Sequence, residues 1–130
     1  MTSELLVVPT DPETEVLAFL DSLRASGGHL EGWGLGTRTP ENETPDRFVQ
    51  VQQIDGDNPN PLLFRHTLQV RVWEASERTA KRYANLVLAY VRRSLGARTV
   101  SQPVRLPDPV DNSRSFFQCS FLLPTMGIAR

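Results

Sequence analysis

The residues able to do chemistry in this chain are few: two histidines, one cysteine, a glycine triplet and one acidic run. His29 follows the Gly27-Gly28 break and His66 opens a strand. Neither has a second His, Cys or carboxylate at ligand spacing on its own element, so no metal site is expected. Cys119 alternates with Phe117 and Phe121, which makes it a small buried hydrophobe without a nucleophilic role. A lone Cys also excludes an internal disulfide and a multi-cysteine zinc site. Gly32, Gly34 and Gly36 imitate a phosphate-cradling loop, but the spacing is not GxGxxG, no strand feeds it and no helix follows. They predict either a bulged strand or one that another backbone approaches closely. Asp55, Asp57 and Asn58 begin like a calcium loop, yet the twelfth position is His66 in place of Glu, and Pro59 and Pro61 interrupt the rest. The triplet Asn42-Glu43-Thr44 is a glycosylation sequon in form only, because no signal peptide precedes it. The residues therefore predict no catalytic constellation and no cofactor: the chain reads as a non-enzyme.

Two further groups of residues stand out, a basic helix face that reads as solvated surface and a strand side with interface chemistry. Arg78, Lys81, Arg82, Asn85, Arg92 and Arg93 share one face of a helix, and no aromatic side chain is interleaved among them for base stacking. The polar side of a strand carries Arg65, Arg71 and Trp73, and an exposed Trp flanked by Arg is hot-spot chemistry for a protein interface.

The elements that must position these residues follow from local signals. Thr10-Asp11-Pro12-Glu13 starts a helix: Asp11 caps it, Pro12 suits the first turn, and Glu13 and Glu15 sit at the positive end of the dipole. Val16, Phe19, Leu20 and Leu23 form its buried stripe, and Gly27-Gly28 ends it. A Gly-rich strand is expected over Leu30–Arg38, a turn over Pro40–Pro45 and a second strand over Arg47–Ile54. Asp55–Pro61 reads as an exposed loop or hairpin connection. In the third strand Thr67, Gln69, Arg71 and Trp73 alternate with Leu68, Val70 and Val72. Ser76 caps a second helix with Ala80, Ala84, Val87, Val91 and Leu95 on one stripe, Tyr83 beside it and Gly96 as its stop. Two further strands, Thr99–Leu106 and Arg114–Leu123, flank a turn at Pro107-Asp108-Pro109, and Phe117, Cys119, Phe121 and Leu123 share a face. The order α-β-β-β-α-β-β predicts one two-layer α+β domain over residues 1–130. Its sheet of four to five strands is mixed or antiparallel, and both helices pack on one face.

Bulk properties set outer limits. A 130-residue chain with 39% hydrophobic and 22% charged residues holds one core without staples. No apolar run approaches the roughly 18 residues of a membrane span. The N-terminus has acidic Glu4 where a signal peptide carries positive charge, which predicts a cytoplasmic protein. The net charge of -1 conceals a division: residues 1–64 hold three basic and eleven acidic side chains, a balance of -8, whereas 65–105 hold nine and two, a balance of +7. Either these halves meet in a neighbouring copy, or the basic segment meets another anionic partner, or the fold mixes the charges again.

The order of residue types resembles the tail terminator (tail completion) proteins of long, non-contractile-tailed bacteriophages, especially those of actinobacteria. The resemblance runs through the Pro9–Leu23 helix, Pro45-Asp46-Arg47-Phe48-Val49-Gln50-Val51 and Leu68-Gln69-Val70-Arg71-Val72-Trp73-Glu74-Ala75-Ser76. It continues through Pro107-Asp108-Pro109 to Arg114-Ser115-Phe116-Phe117-Gln118. It implies a structural virion protein at the head-proximal end of the phage tail, assembled in the host cytoplasm. Such a protein forms a homo-oligomeric, hexameric ring that caps the tail tube protein, stops its polymerisation and offers the head-tail connector or stopper protein a joining surface. Phage DNA passes through the lumen without sequence-specific binding, and no membrane is involved. The contact expected in such a ring sets the third strand and second helix of one copy (Arg65, Arg71, Trp73, Arg78, Arg82) against the acidic half of the next, including Asp55 and Asp57. Alternative readings are a head completion or stopper protein, a small nucleic-acid-binding module using Arg65 to Arg105, and a small enzyme in which the Asp55 loop converges with His66.

Overall fold

The computed structural model describes residues 7–9, 11–38, 46–60, 63–108 and 115–129. In chain order its elements are β1 (Val7–Pro9), α1 (Pro12–Ser22), β2 (Gly34–Gly36), β3 (Arg47–Asn60), β4 (Leu63–Glu74), α2 (Glu77–Leu95), β5 (Arg98–Pro107) and β6 (Ser115–Ala129). The turn expected at Pro40–Pro45, the sequon within it, and Pro61, Pro109 and Arg114 lie outside the described residues, as does the Asn58 side chain.

Both helices begin where a side chain caps them. Asp11 accepts the Glu13 N–H at 3.1 Å and the Thr14 hydroxyl at 2.7 Å, and the Ser76 hydroxyl accepts the Thr79 N–H at 3.3 Å, satisfying donors that have no partner within the helix. Val16 and Leu20 are fully buried on α1. Ala80, Ala84, Val87, Leu88 and Val91 are buried on α2, which closes at Gly96 in the left-handed conformation with φ 71°. There an L side chain would be strained. α1 stops at Ser22, earlier than the Gly27-Gly28 pair implies, because Leu23 already closes its last turn.

β2, β3, β4, β6 and β5 form a mixed five-stranded sheet in that spatial order; β2 runs parallel to β3 and every other pair is antiparallel. β1, absent from the expectation, pairs with Gly127 to Ala129 of β6. Successive side chains of a strand point to opposite faces. Rows such as Val49–Val72–Phe117 and Val51–Val70–Cys119 therefore line one face, and both helices close over it in a single core. Each fully buried Leu or Val there contributes about 1.5–3 kcal/mol. The two-layer α+β arrangement expected from the sequence is the fold.

Three strand limits differ from expectation. The strand at Leu30–Arg38 shrinks to Gly34–Gly36, because Leu30 and Trp33 enter the core from turns. A Cβ on Gly34 would lie 2.7 Å from the Phe48 ring, so the glycine admits an aromatic side chain of the neighbouring strand instead of another backbone. Asp55–Asn60 is not a loop but the end of β3, paired with β4 as far as Asn60 and Leu63 despite register shifts after Gln53 and Asp57. β6 continues past Leu123 to Ala129.

Candidate functional site

The expected interface residues separate into three environments, of which one is cationic and open. Trp73 is the clearest correction. It is 3% exposed, and its indole N–H donates to Asp108 at 3.1 Å. Phe48, Trp73, Phe116 and Leu106 stand opposite one another across β3, β4, β6 and β5, forming a small second core on the face away from the helices. The Trp73 and Phe116 rings lie 4.9 Å apart. Arg71 on the same face is half-buried: its Nε donates to Gln118 at 3.0 Å and its guanidinium lies 5.0 Å from the Phe116 ring centre. The strand's polar side is thus a structural surface at one end.

The β3–β4 hairpin holds the acidic candidates. Asp57 and Arg65 stand opposite each other, and Arg65 Nε donates to Asp57 Oδ1 at 2.8 Å. That hydrogen bond keeps the Asp57 carboxyl below its ordinary value and Arg65 above its own. Asp55 accepts the N–H of Gly56 at 2.8 Å. His66, facing the core, is buried. Its Nε2 lies 3.0 Å from the Thr125 hydroxyl and its Nδ1 lies 3.0 Å from the Gln53 amide nitrogen. An amide nitrogen only donates, so Nδ1 accepts and Nε2 carries the proton. Gln53, Gly56, Asp57, Phe64 and His66 line a cavity of about 420 Å³. The residue opposite His66 on the hairpin is Gly56, and Asp57 stands opposite Arg65, so neither Asp55 nor Asp57 is paired with His66; the charges that act on it are Glu15 and Asp11.

This network makes stability depend on pH. Burial lowers the His66 pKa from 6.5, against the opposing pull of Glu15 and Asp11 on α1. The unfolded chain then binds a proton more readily than the folded one below pH 6.5, so stability falls as the pH drops through that value and is unaffected by His66 above it. Denaturant melts from pH 7.5 to 5.5 check this; the slope should vanish in His66→Gln, and an unchanged slope would assign it elsewhere.

His29 is exposed and contacts Tyr90. Cys119 is fully buried, its thiol pushed up to about 12 by desolvation, so it carries no thiolate at neutral pH. Among the described residues no group of three or more His, Cys, Asp and Glu is placed to hold a metal ion. Among the described residues no helix is long and apolar enough to cross a membrane.

The open cationic surface is the outer face of α2. Arg78, Lys81, Arg82, Arg92 and Arg93 are exposed there along about 22 Å of helix. None has a carboxylate partner among the described residues, whereas Arg24, Arg65 and Arg105 each do. Arg78 and Arg82 are one turn apart, an arrangement that destabilises a helix by about 0.2–0.5 kcal/mol. This face points away from the sheet and Arg71 lies on the sheet's far side, so the two do not form one continuous contact. The missing signal was register: alternation shows which residues share a face, but only strand pairing shows that Trp73 is covered and that Arg65 is bonded to Asp57. No family model matches the chain, and no curated protein matches it.

Proposed function

We propose that the protein is a structural subunit of a closed ring rather than an enzyme. Within that class it is a tail terminator of a long, non-contractile bacteriophage tail, a ring of six that caps the tube, stops its growth and meets the head. The observation that carries the reading is the self-repelling cationic face of α2, which an anionic neighbour would relieve. A head-to-tail ring needs two unlike surfaces on each copy. The α2 face supplies one. The acidic half supplies the other, with exposed Glu31 and Asp55. The order of residue types from the Pro9–Leu23 helix to Gln118 supports the particular assignment. The contact is centred on Arg78 and Arg82; Arg71 and Trp73 are not part of it.

Light scattering after size exclusion, over a range of salt, tests the reading. The expected mass at low salt is several multiples of the 14.6 kDa chain, falling toward that of one chain as salt screens the exposed charges over about 8–10 Å. A single-chain mass at every salt and protein concentration would overturn the self-assembling ring.

A further inference from the structure

Beyond the ring contact, a second cationic feature lies where α2 meets β5. Arg92, Ala97, Arg98, Thr99 and Gln102 line a cleft of about 360 Å³. We propose that this cleft binds a tetrahedral phosphate group, presented as free phosphate or as a phosphodiester of a nucleic-acid backbone.

The left-handed turn at Gly96 reverses the chain directly after α2, and the Ala97 N–H donates back to the Val91 carbonyl at 3.2 Å. That turn returns Arg98, the first residue of β5, to the helix turn carrying Arg92. Two guanidinium groups from different elements thereby face one cavity, neither with a carboxylate partner among the described residues. The helix dipole accounts for cations on the last turn of α2. It does not account for a polar lining that continues onto β5. Thr99 stands opposite the core residue Phe121, so its hydroxyl, buried without a hydrogen-bond partner, belongs to the core side of β5, and the donors of the cleft are Arg92, Arg98 and Gln102. β5 also slips its register on β6 twice, between Thr99 and Ser101 and between Ser101 and Val104. Gln102 sits in the second slip, and irregularities of this kind re-aim side chains beside binding sites.

The donor set selects the ligand. A guanidinium presents paired N–H donors that match two oxygens of a phosphate. Two such forks with the Gln102 amide suit oxygens directed toward several sides, whereas a planar carboxylate uses one fork. The ligand is thus an oxyanion with three or four oxygens, and an acidic peptide from a second copy is the poorer fit.

Calorimetric titration of the purified chain with inorganic phosphate at fixed ionic strength, and separately with a short duplex DNA, tests the proposal. Saturable phosphate binding is expected, weakened at least about tenfold, or about 1.4 kcal/mol, in the exposed double variant Arg92→Gln/Arg98→Gln. Arg98→Lys, which keeps the charge and loses the fork, should also weaken it. Arg105→Gln removes a charge from β5 outside the cleft and should leave it intact. DNA binding that phosphate competes away, and that the double variant loses, assigns the cleft to a backbone phosphodiester. Phosphate binding without such DNA binding assigns it to the free ion. Absence of both, equal loss in Arg105→Gln, or tighter binding of a polyglutamate peptide than of phosphate would overturn the site.

Discussion

Trp73→Ala is expected to remove about 3–5 kcal/mol of stability, the range for truncating a large buried aromatic side chain. A domain of this kind has about 5–15 kcal/mol in total, so the variant should be close to unfolding at physiological temperature. The loss has three parts: the second core loses its central ring between Phe48 and Phe116, a cavity opens over the sheet, and Asp108 loses the indole hydrogen bond. Trp73→Phe keeps one aromatic ring but removes the N–H and the rest of the indole, and should cost less than Trp73→Ala, about 1.5–3 kcal/mol. Urea melts of the three proteins measure both differences. A Trp73→Ala variant with unchanged stability and impaired assembly would return Trp73 to an interface role and contradict the second core.

Arg82→Glu should act in the opposite way, leaving the fold intact and dissolving the assembly. Arg82 is exposed and has no carboxylate partner among the described residues. Replacing it with Glu gives Arg78 an oppositely charged neighbour four residues along, which stabilises a helix by a few tenths of a kcal/mol. Across a contact with an acidic neighbour, the same change turns attraction into repulsion, and like-charge juxtaposition at an interface costs several kcal/mol. The assembled fraction at low salt should therefore fall at least about tenfold while the melting temperature stays level or rises slightly. Arg71→Glu is the contrasting variant. It removes the side chain bonded to Gln118 and stacked on Phe116, so it should lower stability without targeting the ring contact. Unchanged assembly in Arg82→Glu would remove the α2 face from the interface.

The sequence was most legible where structure is decided within a few residues. The caps at Asp11 and Ser76, the stop at Gly96 and the apolar stripe of α2 are local chemistry, and they recovered both helices and the α-β-β-β-α-β-β order. Alternation from Thr67 to Trp73 found β4 for the same reason. What failed depends on distant partners. Asp55–Asn60 is rich in turn-forming residues, yet pairing with β4 holds it extended. Leu30 and Trp33 look like strand residues until the core claims them from turns. The interface reading failed at Trp73 because Phe48, Phe116 and Leu106 reach its level only through strand register. It weakened at Arg65 because Asp57 stands opposite on the hairpin. At Arg78 and Arg82 the structure shows exposure, which follows from helical periodicity alone.

Electron microscopy of the species formed at low salt tests the ring most directly. Closed rings with a central opening and six-fold averages are expected, present in the native chain and scarce in Arg82→Glu. Isolated single domains in the native chain under every condition, or open filaments in place of closed rings, would contradict it.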